Sequence, residues 1–309
     1  MRPIIYGLAA SFFFSATFIF NRSMDLQGGS WVWSAALRFF FMLPMLLLLV
    51  AGRKNLRTAL THLRANLKQY LIWSTIGFGF FYAPSCIAAA HGEAWLVAAT
   101  WQITIIAGPL LTPFLLPKNK NLAPVPFYKQ IPFKAMRWSL LILLGVFLMQ
   151  LQRAHAISVQ EALLCVIPST FAAFMWPLGN RKMMELCHNE VDTFQRVLNM
   201  TIASLPFWLL LSLWGGFVYP LPSTGQIVQT GLVALSSGVI ATLLFFSATN
   251  LVKQDVSRLA AVEATQSGEV IFALAGEIIL LSGAIPSPIS FIGMFLVMLG
   301  MILHSLRKQ

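Results

Sequence analysis

Three of the ten acidic residues in this 309-residue chain, Glu263, Glu269 and Glu277, fall in one apolar stretch, LAAVEATQSGEVIFALAGEIILL. A carboxylate at the middle of a bilayer costs about 2.5 to 3.5 kcal/mol on insertion scales, so it persists there only where something compensates the cost. The chemistry open to such a group is narrow: it holds a proton, neutralises a bound cation, or locks helices through an ion pair. Glu269 stands ten residues into a 23-residue run, about 15 Å from its start at 1.5 Å per residue, close to the midplane. Eight residues turn a helix by about 80° and six by about 240°, so Glu269 and Glu277 share a broad face that Glu263 does not. Glu269 is therefore the first candidate for a proton or cation site and Glu277 the second. Glu277 could instead lock helices by pairing with Arg38, and Glu263, near the cytoplasmic end, can extend its head to the interface.

These carboxylates need helices that cross a membrane. Hydrophobic residues make up 58% of the chain and charged ones only 10%, against roughly 25% charged in soluble domains. Apolar runs at 3–20, 31–51, 70–90, 94–116, 135–151, 162–178, 194–218, 227–252, 259–281 and 288–306 predict an all-α polytopic membrane protein with ten transmembrane helices. The first run has no small-x-small cleavage pattern after it, so it reads as a mature helix rather than a signal peptide. The fifth run is the weakest, because Arg137 interrupts its start.

The net charge of +11 would suggest nucleic acid in a soluble chain, but here the basic residues sit in loops, where they orient helices. With a cytoplasmic N-terminus, inner segments hold 17 Lys and Arg, including Arg53, Lys54, Arg57, Arg64, Lys68, Arg181 and Lys182, and outer segments hold only Arg22 and Arg153. Arg38 and Arg196 fall within spans. Arg196 starts the seventh run, where snorkelling is the simpler reading. Both termini are expected in the cytoplasm, with the segments around Glu93 and Arg153 outside.

The two halves echo each other. Residues 11–24 (SFFFSATFIFNRSM) and 170–183 (TFAAFMWPLGNRKM) both end in Asn-Arg-x-Met, at an offset of 159. FFYA at 80–83 pairs with FFSA at 245–248, and Ala99-Thr100 with Ala264-Thr265, at an offset of 165. Two echoes in order point to duplication, and halves of five spans each must lie in inverted orientation. The expected units are 1–155 and 156–309. The repeat sets Trp101, Gln102 and Thr104 of the fourth run against Gln266, Ser267 and Glu269 of the ninth. Trp101 beside Glu269 would suit an amphipathic cation through cation-π contact and charge. Gln102 and Gln266 could equally serve interhelical hydrogen bonds, and the Asn21 and Asn180 pair reads as a cap or helix contact.

The sequence resembles the drug/metabolite transporter superfamily, whose ten-span members look like two inverted five-helix halves. GLAASFFFSATFIFNR followed by SAALRFFFMLPMLLLL is similar to its first two helices, with Arg38 at the Arg that opens the second. GEVIFALAGEIILL and FIGMFLVMLGMIL look like its closing pair, and ATQSGEVIFALAGEI most resembles the branch described as "putative multidrug resistance efflux transporters". The chain departs from the small four-helix pumps, whose essential Glu lies in the first helix, because no acid occurs between Met1 and Phe20.

Enzyme signatures are missing from the sequence: there is no Walker A loop, CxxC, HExxH or GxSxG, and the five histidines are dispersed. The neighbouring Cys187, His188 and Glu190 lack a second cluster to complete a metal site. The sequence therefore points to a secondary transporter without cofactor or metal. It would export small organic molecules across the cytoplasmic membrane by alternating access, with Glu269 as proton or cation site. Trp101, Gln102, Gln266, Glu277 and Arg38 are the further candidate lining residues. Export of amino acids or related metabolites is the close alternative, and a membrane-embedded enzyme acting on lipid the distant one.

Overall fold

The computed structural model describes residues 1–92, 94–115, 133–151, 158–188, 190–281 and 287–305. Glu93, Lys118, Lys120, Lys129, Arg153, Arg307, Lys308 and the boundary at 155/156 lie outside the described residues.

Among the described residues all regular structure is helical: α1 (Arg2–Leu26), α2 (Trp31–Gly52), α3 (Leu56–Ala65), α4 (Leu67–Ser74), α5 (Phe80–His91), α6 (Ala94–Trp101), α7 (Thr104–Leu115), α8 (Phe133–Leu151), α9 (Val159–Cys187), α10 (Thr193–Val218), α11 (Thr224–Val233), α12 (Thr242–Leu251), α13 (Val256–Ala264), α14 (Gly268–Leu280) and α15 (Pro288–Ser305). Polar residues between the apolar runs start several of them. Ser30 accepts from the Val32 amide, Ser223 from Gln226 and Asp255 from Arg258, and Asp192 forms a reciprocal capping box with Gln195. Each cap satisfies an amide that the first helical turn leaves without a partner.

Six helical segments are long and apolar enough to cross a membrane: Arg2–Leu26, Trp31–Gly52, Leu67–His91, Leu163–Cys187, Thr193–Val218 and Thr224–Leu251. Shorter apolar helices cover Val97–Pro113, Arg137–Leu148 and Phe291–Gly300. Leu48, Phe147, Leu210, Leu213, Phe217 and Ile279 are exposed, whereas Arg38, Asn180, Arg196, Glu263 and Glu269 are buried. That inside-out distribution is stable only where lipid solvates the outer face and each buried polar group finds partners within the bundle. The chain is a membrane-integral helical protein.

Packing joins distant parts of the sequence. α2 lies against α10 and α8 against α15, α1 packs on α12 and α14, and α9 packs on α5, α6 and α7. The segment 75–79 between α4 and α5, and 234–241 between α11 and α12, are wound as π-helix. At Gly77 the first of these touches α9 backbone to backbone, where a Cβ on Gly77 would sit 3.0 Å from Gly179 Cα and one on Gly179 would collide with Gly77 Cα. Small residues let membrane helices approach this closely.

Two runs that read as continuous in sequence are broken. Between α6 and α7 the amides of Gln102 and Ile103 bond three residues back, to Ala99 and Thr100. Ala98 O loses its helical partner and accepts instead from Gln102 Nε2 at 2.9 Å. Between α13 and α14, residues 265–267 tighten to a 3-10 turn. Here Ser11 Oγ of α1 donates to Thr265 O, while Thr265 and Ser267 hydroxyls bond back to Val262 O and Ala264 O. Hydropathy alone conceals both breaks, because the residues that repair the backbone are themselves small or amide side chains.

Candidate transport site

The break in the ninth apolar run places Glu269 on the first turn of α14, 1% exposed. Gln266 Nε2 donates to its Oε1 at 3.4 Å, and the Trp101 side chain at the end of α6 also approaches the carboxylate. Among the described residues no cation stands within ion-pair distance of it.

Glu269, Gln266 and Trp101 line a cavity together with Arg38, Phe14, Thr17, Phe18, Phe81, Ser85 and Trp176. The lining has the usual character of an aromatic wall with a few converging polar groups. Phe81 bridges the two tryptophans, with ring centroids 5.0 Å from Trp101 and 4.6 Å from Trp176. Phe14 meets Trp176 edge-on at 5.8 Å. Thr17 Oγ1 donates to Ser237 Oγ in the π-helical stretch 234–241, which ties α1 to that stretch beside the cavity.

The cavity thus gathers Arg38, Trp101, and Gln266 with Glu269 from three separate apolar runs. Gln102 and Glu277 are buried but do not line it. Gln102 serves the break in its own helix, and Gln266 bonds to Glu269 three residues along; among the described residues neither amide makes the interhelical hydrogen bond open to it in sequence.

Arg38 does not pair with Glu277. Its guanidinium carbon lies 3.9 Å from the centroid of the Tyr82 ring and 5.4 Å from that of Phe39. It is 2% exposed, and among the described residues its Nε and Nη1 find no hydrogen-bond partner. Stacking on an electron-rich ring face compensates part of the cost of burying a cation. Glu263 departs from expectation too. Rather than reaching the interface it is 3% exposed and takes a bidentate ion pair from Arg181, with Nη2 at 2.7 Å from Oε2 and Nε at 3.1 Å from Oε1. Arg181 Nη1 donates to Thr112 Oγ1 at 3.1 Å, so the knot joins α9, α13 and α7. Arg181 read as a loop residue, but α9 runs on to Cys187 and carries it into the bundle. Gly108 leaves the room for this, since a Cβ there would collide with Glu263 Oε2. Arg196 is likewise buried rather than snorkelling, donating to Phe246 O at 3.3 Å and stacking on the Phe246 ring at 4.5 Å.

The asparagines of the Asn-Arg-x-Met echoes make helix contacts. Asn21 donates to Tyr82 Oη at 3.3 Å and Asn180 to Thr249 Oγ1 at 3.4 Å. At one end of the bundle Arg53 pairs with Asp192 at 3.2 Å and His62 Nε2 lies 3.5 Å from Glu190. Trp31 and Trp33 reach Tyr219 and Pro220 at the other end.

Comparison with known proteins decides the class. The family model EmrE, described as "Putative multidrug resistance efflux transporter", matches residues 1–309. The chain belongs to this family. The family is one of transporters, and its description is of small-molecule efflux. It is 50% identical over 310 residues to the uncharacterized protein YjlA of Bacillus subtilis (strain 168), covering all of this chain and 96% of that one. An "Uncharacterized 42.1 kDa protein in intracellular alkaline protease 3'region" of Shouchella clausii is 43% identical over 269 residues, covering 87% of this chain and 70% of that one. A protein of known crystal structure superposes with a TM-score of 0.71 at 13% identity, over 98% of this chain and 96% of the other, and so shares the fold.

Proposed function

We propose that this EmrE-family chain is a secondary active transporter that exports small organic molecules, drug-like or amphipathic, by alternating access. Glu269 is the group that takes up and releases the coupling proton. The observation that carries this reading is a fully buried carboxylate without a cationic partner among the described residues, on the wall of an aromatic cavity and beside a helix break. Broken helices at a midplane site are where transporters bind substrate and coupling ions.

The chain is read as ten spans in two five-helix halves, 1–155 and 156–309, inverted relative to one another. Paired irregularities support this. α7 begins at Thr104 and α14 at Gly268, 164 residues later, each just after a break. The π-helical stretches 75–79 and 234–241 precede FFYA and FFSA. Asn21 bonds from the first run to the third, and Asn180 from the sixth to the eighth. Both termini and the Arg53, Lys54, Arg57 and Arg64 end lie in the cytoplasm on this reading, because basic residues accumulate there.

Reconstitution in vesicles tests the proposal. With an imposed pH gradient, a panel of amphipathic compounds should include some that accumulate against their own gradient. Accumulation that ignores the pH gradient for every transported compound would remove the proton coupling.

A further inference from the structure

The cavity is lined by one acidic and one basic side chain that form no ion pair with each other. Glu269 has no cation at ion-pair distance among the described residues, and Arg38 is 2% exposed with Nε and Nη1 unbonded. Both line the same cavity, and among the described residues they are the charged side chains that do so. Trp176, also on the wall and 2% exposed, keeps its indole N–H without a partner. A buried guanidinium with two unsatisfied nitrogens leaves much of its hydrogen-bonding capacity unused, and leaving charged donors unmatched is costly. The expense makes sense if a ligand supplies the missing acceptor. A planar, forked guanidinium matches a carboxylate better than any other common group. The same cavity is lined by Phe14, Phe18, Phe81, Trp101 and Trp176, which fit an apolar or aromatic body.

We infer that the cavity is a paired-charge site for small zwitterions. The ligand would carry a carboxylate toward Arg38, an ammonium toward Glu269 and an aromatic or apolar body against the tryptophans. Tyr82 and Phe39 hold the guanidinium in place. A lipophilic cation satisfies only half of this lining, because it brings a positive charge into a cavity that already contains an uncompensated arginine. The inference rests on the transporter reading for its purpose but concerns equilibrium binding alone.

Calorimetric titration of the detergent-purified full chain at pH 7, with three matched probes, tests it. Phenylalanine carries both charges, phenethylamine the ammonium only and 3-phenylpropionate the carboxylate only. Phenylalanine should bind roughly tenfold to a hundredfold more tightly than either relative, the range expected for one buried charge-assisted contact. In Arg38→Gln the advantage of phenylalanine over phenethylamine should collapse, and in Glu269→Gln its advantage over 3-phenylpropionate should. The wild-type series needs no variant to fold, so a destabilised mutant does not block the test. Phenethylamine binding as tightly as phenylalanine, no binding by any probe, or an advantage that survives in folded Arg38→Gln would overturn the paired-charge site. The first of these results leaves the exporter reading standing as a cation exporter. Selective binding without movement across vesicles would instead sink the exporter reading and keep the site.

Discussion

Replacing Glu263 by Ala removes the carboxylate from the knot with Arg181 and Thr112. Two ionic contacts from Nη2, at 2.7 and 2.9 Å, and one from Nε at 3.1 Å disappear together. Arg181 keeps only Thr112 at 3.1 Å and stays buried at 8% exposure, since α9 is pinned by Gly77 against Gly179 nearby. Breaking a buried pair by deleting one partner costs about 3 to 5 kcal/mol, most of it the uncompensated charge. An exposed pair such as Arg53 with Asp192 is worth about 0 to 1 kcal/mol, and that comparison sets the scale. Unfolding of the purified protein by SDS titration in mixed micelles, followed by tryptophan fluorescence, measures the loss. Removing both charges as Arg181→Met with Glu263→Leu should recover at least half of it, because an apolar pair of similar volume often replaces a buried ion pair without cost. A Glu263→Ala protein within about 1 kcal/mol of wild type would refute the buried knot and restore a carboxylate that snorkels to the interface.

Other consequences follow from the same contacts. Gly108→Val should destabilise the protein by an amount that Glu263→Ala largely absorbs, because the new side chain collides with that carboxylate; additive losses in the double variant would place the clash elsewhere. Gly179→Leu should fail to fold or lose several kcal/mol in the same titration, whereas Gly231→Leu, where an added Cβ meets nothing within 4 Å, should stay within about 0.5 kcal/mol of wild type. In a cysteine-free background, Arg57→Cys should label with an impermeant maleimide only in inside-out vesicles and Gly225→Cys only in right-side-out cells; the reverse pattern would invert the proposed topology.

Much of this architecture is legible in the sequence because membrane helices advertise themselves by length and apolarity. The polar intrusions were harder to read. Glu269, Trp101, Gln266 and Arg38 stood out as polar or aromatic residues at depth, and a single cavity gathers them. Trp176, Phe14 and Phe81 were invisible as lining, since an aromatic residue in an apolar helix carries no mark of the face it presents. The partner of Glu263 was misread because Arg181 follows an apolar run that seemed to end at 178, while α9 continues to Cys187. Its place in the repeated Asn-Arg-x-Met was the available signal, as it set Arg181 at the same helix end as Arg22, which is itself ion-paired with Asp25. The breaks beside Gln102 and Gln266 leave no proline or charge at the turn itself, so only the repeat offset could have suggested that they coincide.

The central claim is that Glu269 couples transport to protons, and the most direct test compares wild type with Glu269→Gln in vesicles containing a pH-sensitive dye. Glutamine keeps the shape and the contact with Gln266 while removing the titration, so the variant should insert and fold normally. Adding a transported compound to wild-type vesicles should move protons in the opposite direction, and a pH gradient should concentrate that compound. In Glu269→Gln both responses should vanish, and any downhill exchange of the compound should proceed without a dye signal. A folded Glu269→Gln protein that still concentrates substrate, with the pH dependence of wild type, would contradict the assignment and make the buried carboxylate structural.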